Sequence, residues 1–559
     1  MMKKVISIFL CLVTIFLCLS GCSSKEESID FIYPFSADVK SYDPQIASTA
    51  DEYLIIENTF EGLVRVDDDG TVKPGVAENW NISGNGLSYT FNLQKGVKWN
   101  IDTEVDSEGK RQKDDRLEYM GYDFNPDITA NDFVFALQRA VSPETECPLY
   151  SSLACIQNAG AIHSGKMSAD TLGVSAPDDY TLQITLSAPD SSFMQTLSTA
   201  AAMPCNKDFF NATKGRYGLS TEYTLFNGQF YLSQILETSY LLKNNKFYKG
   251  PSPSKAKELT LKIDDGSNTE DRIDKLKSGY YDAAFISGSD SVKLKDAENL
   301  TYTPYNDTTW AFLINTNNEI FQSKTMRKAF CLGLARLSDT GTEYLSDAAN
   351  LTTSSCYIGG NNAADAMGRT VEMQDTAKSM ELWKKGLKII DKNDIEVTIL
   401  TTAEMQDYVK KLLQGIQSGI GTIIKNDNDE KVNFTVKIET VEEGQLKSAV
   451  GKMEYDIAFY PLKSTSSSAV AYLKNIVDKN FTGIDTSKAE SSLKKAESAD
   501  DIKNISSFTK AAEKNLLGSY SIIPMLYETS YYVTANGVSA VQFHPGTGRV
   551  SFVNADRKE

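Results

Sequence analysis

The sequence predicts a mixed α/β fold in which helices cover largely parallel sheets. Two observations lead to this prediction. Strand and helix patterns alternate along the second half of the chain, and its 559 residues are enough for three or more domains. The composition agrees, because 41% hydrophobic and 23% charged residues are usual for a globular protein with a large core.

The first half of the chain contains two strand patterns, one helix pattern and one long polar segment. Apolar residues alternate with polar ones from Tyr89 to Trp99, which predicts a half-buried hairpin. Residues 129–132 resemble a capping box, and the apolar positions after them predict a helix. Residues 180–186 predict another strand, and the charge-rich segment 102–127 predicts an insertion or a long surface loop.

The second half has the clearer strand–helix–strand order, which favours parallel strands joined by helices. The predicted elements are a strand at 259–263, a helix at 271–278, strands at 281–286 and 395–399, a helix from 401, a strand at 432–438, a short helix near 446–450 and a strand at 455–459.

The charge and the histidine content exclude several classes of function. The net charge of −17 argues against nucleic acid or an anionic membrane surface as the main partner, since both repel an anion. With only His163 and His544, a zinc enzyme with two or three histidine ligands is nearly excluded. Nucleophile-elbow, P-loop and HExxH motifs are also missing. We therefore expect a binding protein rather than an enzyme, with no catalytic residue, metal or cofactor.

The first 22 residues have the pattern of a targeting segment. A short basic start precedes an apolar run over 5–19, which is too short for a comfortable transmembrane helix and suits a signal peptide. The run ends in Leu-Ser-Gly-Cys22, which resembles the lipobox of bacterial lipoproteins. This resemblance implies a leader at 1–21, a lipidated Cys22 and a polar tether at 22–30. The alternative is a secretory leader with a chance cysteine.

Five cysteines remain after Cys22, and their number argues against a disulfide scaffold. They are Cys147, Cys155, Cys205, Cys331 and Cys356. An odd number allows at most two disulfides. Cys147 and Cys155 are the only close pair and lack CxxC spacing, so buried or free thiols are the better interpretation for most of them, and the pairing of these two stays open.

Across about 500 residues the chain resembles the extracellular solute-binding proteins of family 5, and specifically their oligopeptide-binding branch. Each matching segment is weak alone, but together they occur in the order found in that family. The segments are 41–44 (SYDP), 60–63 (FEGL), 74–80 (PGVAENW), 95–99 (KGVKW), 226–230 (FNGQF), 315–316 (NT), 326–330 (MRKAF) and 522–527 (IIPMLY).

The resemblance implies the type II fold of periplasmic binding proteins, with two lobes, an extra domain and a ligand cleft at the hinge. It further implies a discontinuous first domain, a contiguous second one and a long α/β third one. The expected boundaries are 31–59 plus 204–268 plus 520–559 for domain I, 60–203 for domain II and 269–519 for domain III.

The resemblance also suggests which residues line the cleft, although core packing or turn geometry is at least as plausible for each. The family's acidic partner for a peptide amino terminus would fall near Thr465, and its preceding tryptophan near Leu462. Lys463 adds a positive charge there, which puts recognition of a free amine in doubt. The other expected contacts are Ser48, Thr49, Ala50, Tyr150, Phe226, Asn227, Gly228 and Tyr527.

The function implied by this resemblance is capture of oligopeptides or peptide-like solutes for an ABC importer. Partners would be a membrane permease and its ATPase subunits, with the chain monomeric, extracytoplasmic and lipid-anchored. The unexpected residues at 462–465 leave three alternatives open: longer peptides, blocked or anionic ligands, and a different solute. A surface receptor that senses a signal peptide or another solute on the same fold is the alternative function.

Overall fold

The computed structural model describes residues 29–67, 71–101, 114, 116, 120, 124–190, 192–250, 255–264, 268–294, 297–298, 300–353, 355–358, 361–387, 394–416, 431–464, 468–497, 499, 502–544 and 549–558. Four expectations lie wholly or largely outside these residues. They concern the leader with Cys22, the tether, most of the segment 102–127, and Thr465.

Strands and helices occur throughout the described chain. The strands are β1 (Ile29–Phe35), β2 (Val64–Val66), β3 (Val72–Pro74), β4 (Ala77–Ile82), β5 (Ser88–Leu93), β6 (Val174–Asp178), β7 (Thr181–Thr185), β8 (Phe230–Leu236), β9 (Ser239–Asn244), β10 (Ala256–Ile263), β11 (Ala283–Ile286), β12 (Thr301–Ile314), β13 (Leu345–Asp347), β14 (Tyr357–Ile358), β15 (Asn361–Asn362), β16 (Asp394–Thr401), β17 (Asn433–Thr440), β18 (Ile457–Lys463), β19 (Ile522–Thr534), β20 (Val538–Ser539), β21 (Gln542–His544), β22 (Arg549–Ser551) and β23 (Asp556–Arg557). The α-helices are α1 (Ala50–Thr59), α2 (Ala130–Val141), α3 (Tyr150–Leu153), α4 (Ala159–His163), α5 (Phe193–Thr196), α6 (Lys207–Ala212), α7 (Thr269–Lys277), α8 (Gly288–Ser291), α9 (Lys324–Gly333), α10 (Ala363–Met367), α11 (Thr376–Leu387), α12 (Gln406–Leu412), α13 (Glu443–Lys452), α14 (Ala469–Lys479), α15 (Ser487–Glu497) and α16 (Ile502–Leu517). In the part of the chain that the structure describes, none of these helices is long and apolar enough to cross a membrane.

Three larger sheets organise these elements. The first has the order β1-β10-β9-β8, the second β4-β5-β7-β6, and the third β11-β19-β12-β18-β16-β17, with β13 beside β19. The predicted α/β class is confirmed, but the sheets are mixed rather than mainly parallel. Only β1 with β10, and β16 with both β17 and β18, pair in parallel. The other pairs in these sheets are antiparallel, because hairpins and long returning strands join them.

Most of the predicted elements form close to their expected places. The alternating pattern at Tyr89 becomes β5, and the pattern at 259–263 becomes β10. The hairpin expected through Trp99 does not form, because β5 ends at Leu93 and pairs with β4 and β7. The capping box at Thr129 is present, with the Asp132 carboxylate accepting from the Thr129 backbone at 2.8 Å. The helix expected from 401 begins at Gln406, because 402–405 form a turn after β16.

The buried apolar residues form four clusters. The largest joins the first two sheets and includes Phe31, Phe91 and Phe552. Two others lie on the two faces of the third sheet, so that Trp310 and Phe312 of β12 pack on one face and Ala311 and Leu313 on the other. The fourth, smaller cluster lies under β11. This division separates a first lobe from a second, which is built on the third sheet.

Two long strands, β12 and β19, connect the two lobes. They pair in antiparallel fashion along nearly their whole length, with a bulge between Tyr305 and Thr308. On one side of the bulge Tyr305 and Tyr532 stack 4.7 Å apart and belong to the largest core. On the other side Trp310 belongs to a core of the third sheet. A second register shift lies between Trp310 and Ala311, within the second lobe. The bulge at 305–308 lies where the strands pass from one core to the other, so a bend there would move one lobe relative to the other.

A buried ion pair joins the segment before α1 to the helix α2. The Arg139 guanidinium donates to the Asp43 carboxylate at 2.6 Å and to the Gln45 side chain at 2.7 Å, with both ionic side chains nearly buried. Breaking a buried pair by removing one partner typically costs about 3–5 kcal/mol, because the other charge stays buried without a partner. The Ser-Tyr-Asp-Pro motif at 41–44 is therefore tied to α2 by charge as well as by packing.

Candidate functional site

The carboxyl edge of the third sheet, where its parallel strands end, lies beside the bulge. β16, β17 and β18 run in parallel, so their last residues meet at one edge. Lys463 at the end of β18 pairs with Thr308 of β12, and Thr308 pairs with Glu528 of β19. Open α/β sheets bind ligands outside the carboxyl ends of their strands. This edge, with residues 306–308, 463 and 528, is the candidate ligand site.

Leu462 and Tyr527 come together at this edge, on either side of Thr309 in β12. Both side chains are buried. The Leu462 carbonyl accepts from the Tyr472 hydroxyl at 3.2 Å. The Tyr527 hydroxyl accepts from the Asn350 backbone N–H at 2.8 Å, and burial raises the pKa of this hydroxyl. This edge therefore presents its backbone and the neighbouring side chains to a ligand, and not the side chains of Leu462 and Tyr527.

Lys463 is the exposed charge of the edge. Its side chain is 59% exposed, and its ammonium lies 3.6 Å from the Glu443 carboxylate at the start of α13. Both groups face water, so the pair contributes less than about 1 kcal/mol. Glu443 therefore balances the positive charge in part.

Ser48, Thr49 and Ala50 form the loop that opens α1. Thr49 is the N-cap of the helix, and its hydroxyl accepts from the Glu52 backbone N–H at 3.1 Å. The buried Glu52 carboxylate closes the loop by accepting four backbone N–H bonds of 2.7–3.0 Å, from Lys40, Ser41, Ser48 and Thr49. The side chains of Ser48 and Ala50 stay exposed. Glu52 thus fixes the loop, a role that was not predicted from the sequence.

Phe226, Asn227 and Gly228 lie where two segments of the chain cross between the first and second sheets. The Asn227 side chain donates to the Glu61 carbonyl at 2.8 Å and accepts from the Glu61 N–H at 3.0 Å. Phe226 packs edge-on against Phe60 with ring centroids 5.6 Å apart. These contacts join the crossing segments, and the three residues are buried there.

Gly228 permits the close approach of the crossing segments. A Cβ atom at this position would lie 2.5 Å from the Thr59 carbonyl carbon, and the Gly228 N–H donates to the Thr59 oxygen at 2.8 Å. Backbone approaches as close as this exclude any side chain. The glycine is therefore explained by the crossing itself.

Tyr150 lies on α3 in the first lobe and faces charged residues of the second lobe. Its ring stacks on His163 with centroids 3.5 Å apart. Burial raises the pKa of the Tyr150 hydroxyl, and the nearby Lys474 ammonium of α14 lowers it in part. Lys474 itself donates to Glu497 of α15 at 2.9 Å. The ion pair of Lys474 with Glu497 is a feature that the sequence did not reveal.

Glu513 is another residue that sequence reasoning missed. Its carboxylate is fully buried and accepts from the Leu351 N–H at 3.1 Å and from the Thr352 N–H at 3.0 Å, and it also binds the hydroxyls of Thr352 and Thr370. The bonds fix the loop that holds Tyr527. These partners lie more than 140 residues away in the chain, so no local pattern could have identified them.

The described residues contain no group of three metal-ligating side chains placed to hold a metal ion. The cysteines from 147 to 356 are all free thiols, so Cys147 and Cys155 are not bonded to each other. A cavity of about 30 Å³, lined by Phe60, Glu61 and Arg65 among others, lies at the crossing. It has room for only one or two water molecules.

We expect the Glu52→Gln substitution to lower the stability of the first lobe at neutral pH and to flatten its acid dependence. Burial alone would raise the pKa of Glu52, but the four N–H bonds outweigh it and hold the pKa below 4.5. The ionised carboxylate therefore stabilises the fold above pH 4.5, and this contribution is lost as the pH falls through the lowered pKa. Thermal unfolding from about pH 3 to 7 measures this, with an expected loss of about 2 kcal/mol at pH 7.

Glu381→Gln is the control for this substitution, because Glu381 is an exposed partner of Lys378. It should leave the profile of unfolding temperature against pH unchanged. If the unfolding temperatures of wild type and Glu52→Gln differ by the same amount at every pH, the ionisation of Glu52 does not contribute to stability.

Comparison with known proteins places this geometry in a family. Residues 71–483 match the model of the bacterial extracellular solute-binding proteins, family 5 Middle. The chain is 24% identical over 526 residues to the dipeptide-binding protein DppE of Bacillus subtilis strain 168, covering 92% of this chain and 90% of the relative.

Solved structures share the whole fold. The substrate-binding domain of an oligopeptide ABC transporter from Bacillus anthracis superposes with a TM-score of 0.71 at 22% identity, covering 95% of this chain and 99% of that one. Listeria monocytogenes OppA bound to peptide gives a TM-score of 0.70 at 21% identity, covering 95% and 100%. The fold is that of the type II periplasmic binding proteins, and the chain belongs to the bacterial extracellular solute-binding proteins of family 5.

Proposed function

We propose that this protein captures peptides or peptide-like solutes and delivers them to the permease of an ABC importer driven by ATPase subunits. The observation that carries the proposal is the position of the carboxyl edge, directly beside the bulge of the two strands that join the lobes. A ligand held at this edge touches the second lobe and meets the first lobe when the strands bend. The peptide-binding names of full-length relatives support the choice of ligand class.

The proposed domain division follows from the packing on β12 and β19. Domain II remains the contiguous excursion near 60–203, between two segments of a discontinuous domain I. Before the bulge the side chains of β12 belong to the core of the first lobe, and after it they belong to a core of the second lobe. We therefore propose that domain III begins at about 306 instead of 269 and ends at about 528 instead of 519. The C-terminal strand β19 then contributes to both lobes.

Binding energy drives closure in this proposal. A ligand that touches both lobes binds the closed state more tightly than the open one, so it shifts the population toward closure. An extended peptide suits an edge made mainly of backbone, because main-chain hydrogen bonds hold it without reading its sequence. Lys463 places a cation at the strand end, and the Glu528 carboxylate of this edge already accepts from the Trp310 indole N–H at 2.7 Å, so the terminal amine of the peptide is not the group on which affinity depends in this proposal.

The experiment is binding of defined peptides, preceded by native mass spectrometry of protein purified from its own cells. We expect co-purified short peptides of mixed sequence, and calorimetric binding of synthetic peptides with free or acetylated amino ends within about threefold of each other. The closeness follows because Glu528 is engaged by Trp310 and Lys463 repels a cation, whereas a lost charge pair in a closed site would cost far more. A single non-peptide ligand would overturn the peptide proposal.

The proposed role needs no chemistry on the ligand, so we propose a binding protein without enzymatic turnover. It acts as a monomer outside the cytoplasmic membrane and is held there by lipid on Cys22. A surface receptor that passes a peptide cue to a partner stays the alternative, and permease and ATPase genes beside its own gene would favour import.

Cys22→Ala should release most of the protein from the membrane fraction of its own cells. The thiol at Cys22 is the proposed attachment point of the lipid, and the acyl chains provide most of the affinity for the membrane. Fractionation and immunoblotting measure this. Cys18→Ala, within the leader, should leave the protein in the membrane fraction. Retention of Cys22→Ala after high-salt washing would contradict lipid anchoring.

A further inference from the structure

The second lobe has an exposed tyrosine, Tyr357, close to the carboxyl edge. Tyr357 is 36% exposed, which makes it the most exposed aromatic side chain among the described residues from 306 to 528. Its neighbours Cys356 and Ile358 are buried in the core. Successive side chains of a strand point to opposite faces, so the backbone of β14 directs the Tyr357 ring away from the core.

The backbone around Tyr357 is firmly held at the edge. β14 pairs with β15, and Tyr357 also forms a parallel bridge with Ser468, the N-cap of α14. The Cys356 sulfur lies 3.6 Å from the Ser464 hydroxyl, one residue beyond the end of β18. Tyr357 is therefore placed near Ser464, just beyond β18, and beside Ser468, at the start of α14.

The residues just before Tyr357 reach the bulge between the lobes. The Ser355 hydroxyl accepts from the Asn306 N–H at 2.7 Å, and Asn306 lies within the bulge of β12. Tyr357 is thus two residues from a contact with the hinge and faces outward at the edge. An aromatic ring in this position is well placed to meet a ligand that lies along the edge.

We infer that Tyr357 is a specificity-determining residue of the ligand site, where its ring stacks with an aromatic side chain of the bound peptide. This inference rests on the proposed function. Leu462 is buried at the strand end, so it offers no ring to the ligand, and Tyr357 supplies one from the neighbouring hairpin. Rigid tyrosines provide large contact area at low entropic cost, which is why they dominate binding sites.

The surrounding charges favour an aromatic side chain over a cationic one. Lys463 lies just before Ser464, and Lys474 lies on the helix that begins beside Tyr357. Each ammonium has a glutamate partner, at 3.6 and 2.9 Å, and each still disfavours a cationic side chain nearby.

The test is a phenylalanine scan of an alanine pentapeptide, with affinities measured by calorimetry. We expect wild type to prefer phenylalanine over alanine about fivefold at one position, as an aromatic pair contributes. Tyr357→Ala should reduce that preference to less than twofold and leave the affinity for penta-alanine nearly unchanged. Tyr357→Phe should retain it. Tyr280→Ala is the matched control, because Tyr280 is an exposed tyrosine of the first lobe, 43% exposed and next to Lys275.

Each outcome decides the inference. An unchanged preference in Tyr357→Ala, an equal loss in Tyr280→Ala, or no preferred position in wild type would overturn it. Failure of wild type to bind any peptide would instead overturn the proposed function. Tyr357→Leu guards against a folding defect, since it keeps an apolar side chain and should lose the preference like alanine, with an unfolding temperature equal to that of wild type.

Discussion

The pairing of β12 with β19 is the contact on which the rest of the structure depends. These strands share a ladder from Thr301 to Leu313, and they carry residues of the cores of both lobes. Their bulge is the interruption at which the ladder can bend without breaking a core. The carboxyl edge, with Lys463 and Glu528, begins directly beyond it. A ligand at that edge is therefore placed where a small local bend produces a large movement of the lobes.

The residues that can contact a ligand differ from the buried residues that hold the framework together. Asn227, Gly228 and Tyr527 are buried and bonded within the framework, as are the Glu52 loop and the buried Glu513. They fix the crossing segments and the loops, so that the edge keeps its shape while the lobes move. The groups that face outward are few: the Lys463 charge, the Tyr357 ring and the backbone of the strand ends. This division suits a protein that accepts varied ligands through one rigid edge.

Local patterns predicted the local structure well, and they could not reach the long-range contacts. Alternation identified β5 and β10, since a half-buried strand shows its period in the residues themselves. The pairing of β12 with β19 joins segments more than 200 residues apart, and the hydrogen bond from Leu351 to Glu513 joins residues 162 positions apart. Such contacts leave no periodic signal. Tyr357 lies in a two-residue strand, which is too short for a pattern, so its exposure became visible only in the fold.

The central claim is that a ligand at the carboxyl edge closes the lobes about the bulge. The most direct test is a spin-label distance between Lys166→Cys in the first lobe and Lys495→Cys in the second, both exposed, with the half-buried Cys155 and Cys331 replaced by alanine. We predict that a saturating peptide shortens and narrows the distribution of distances. An identical distribution with and without a peptide that calorimetry shows to be bound would contradict the account.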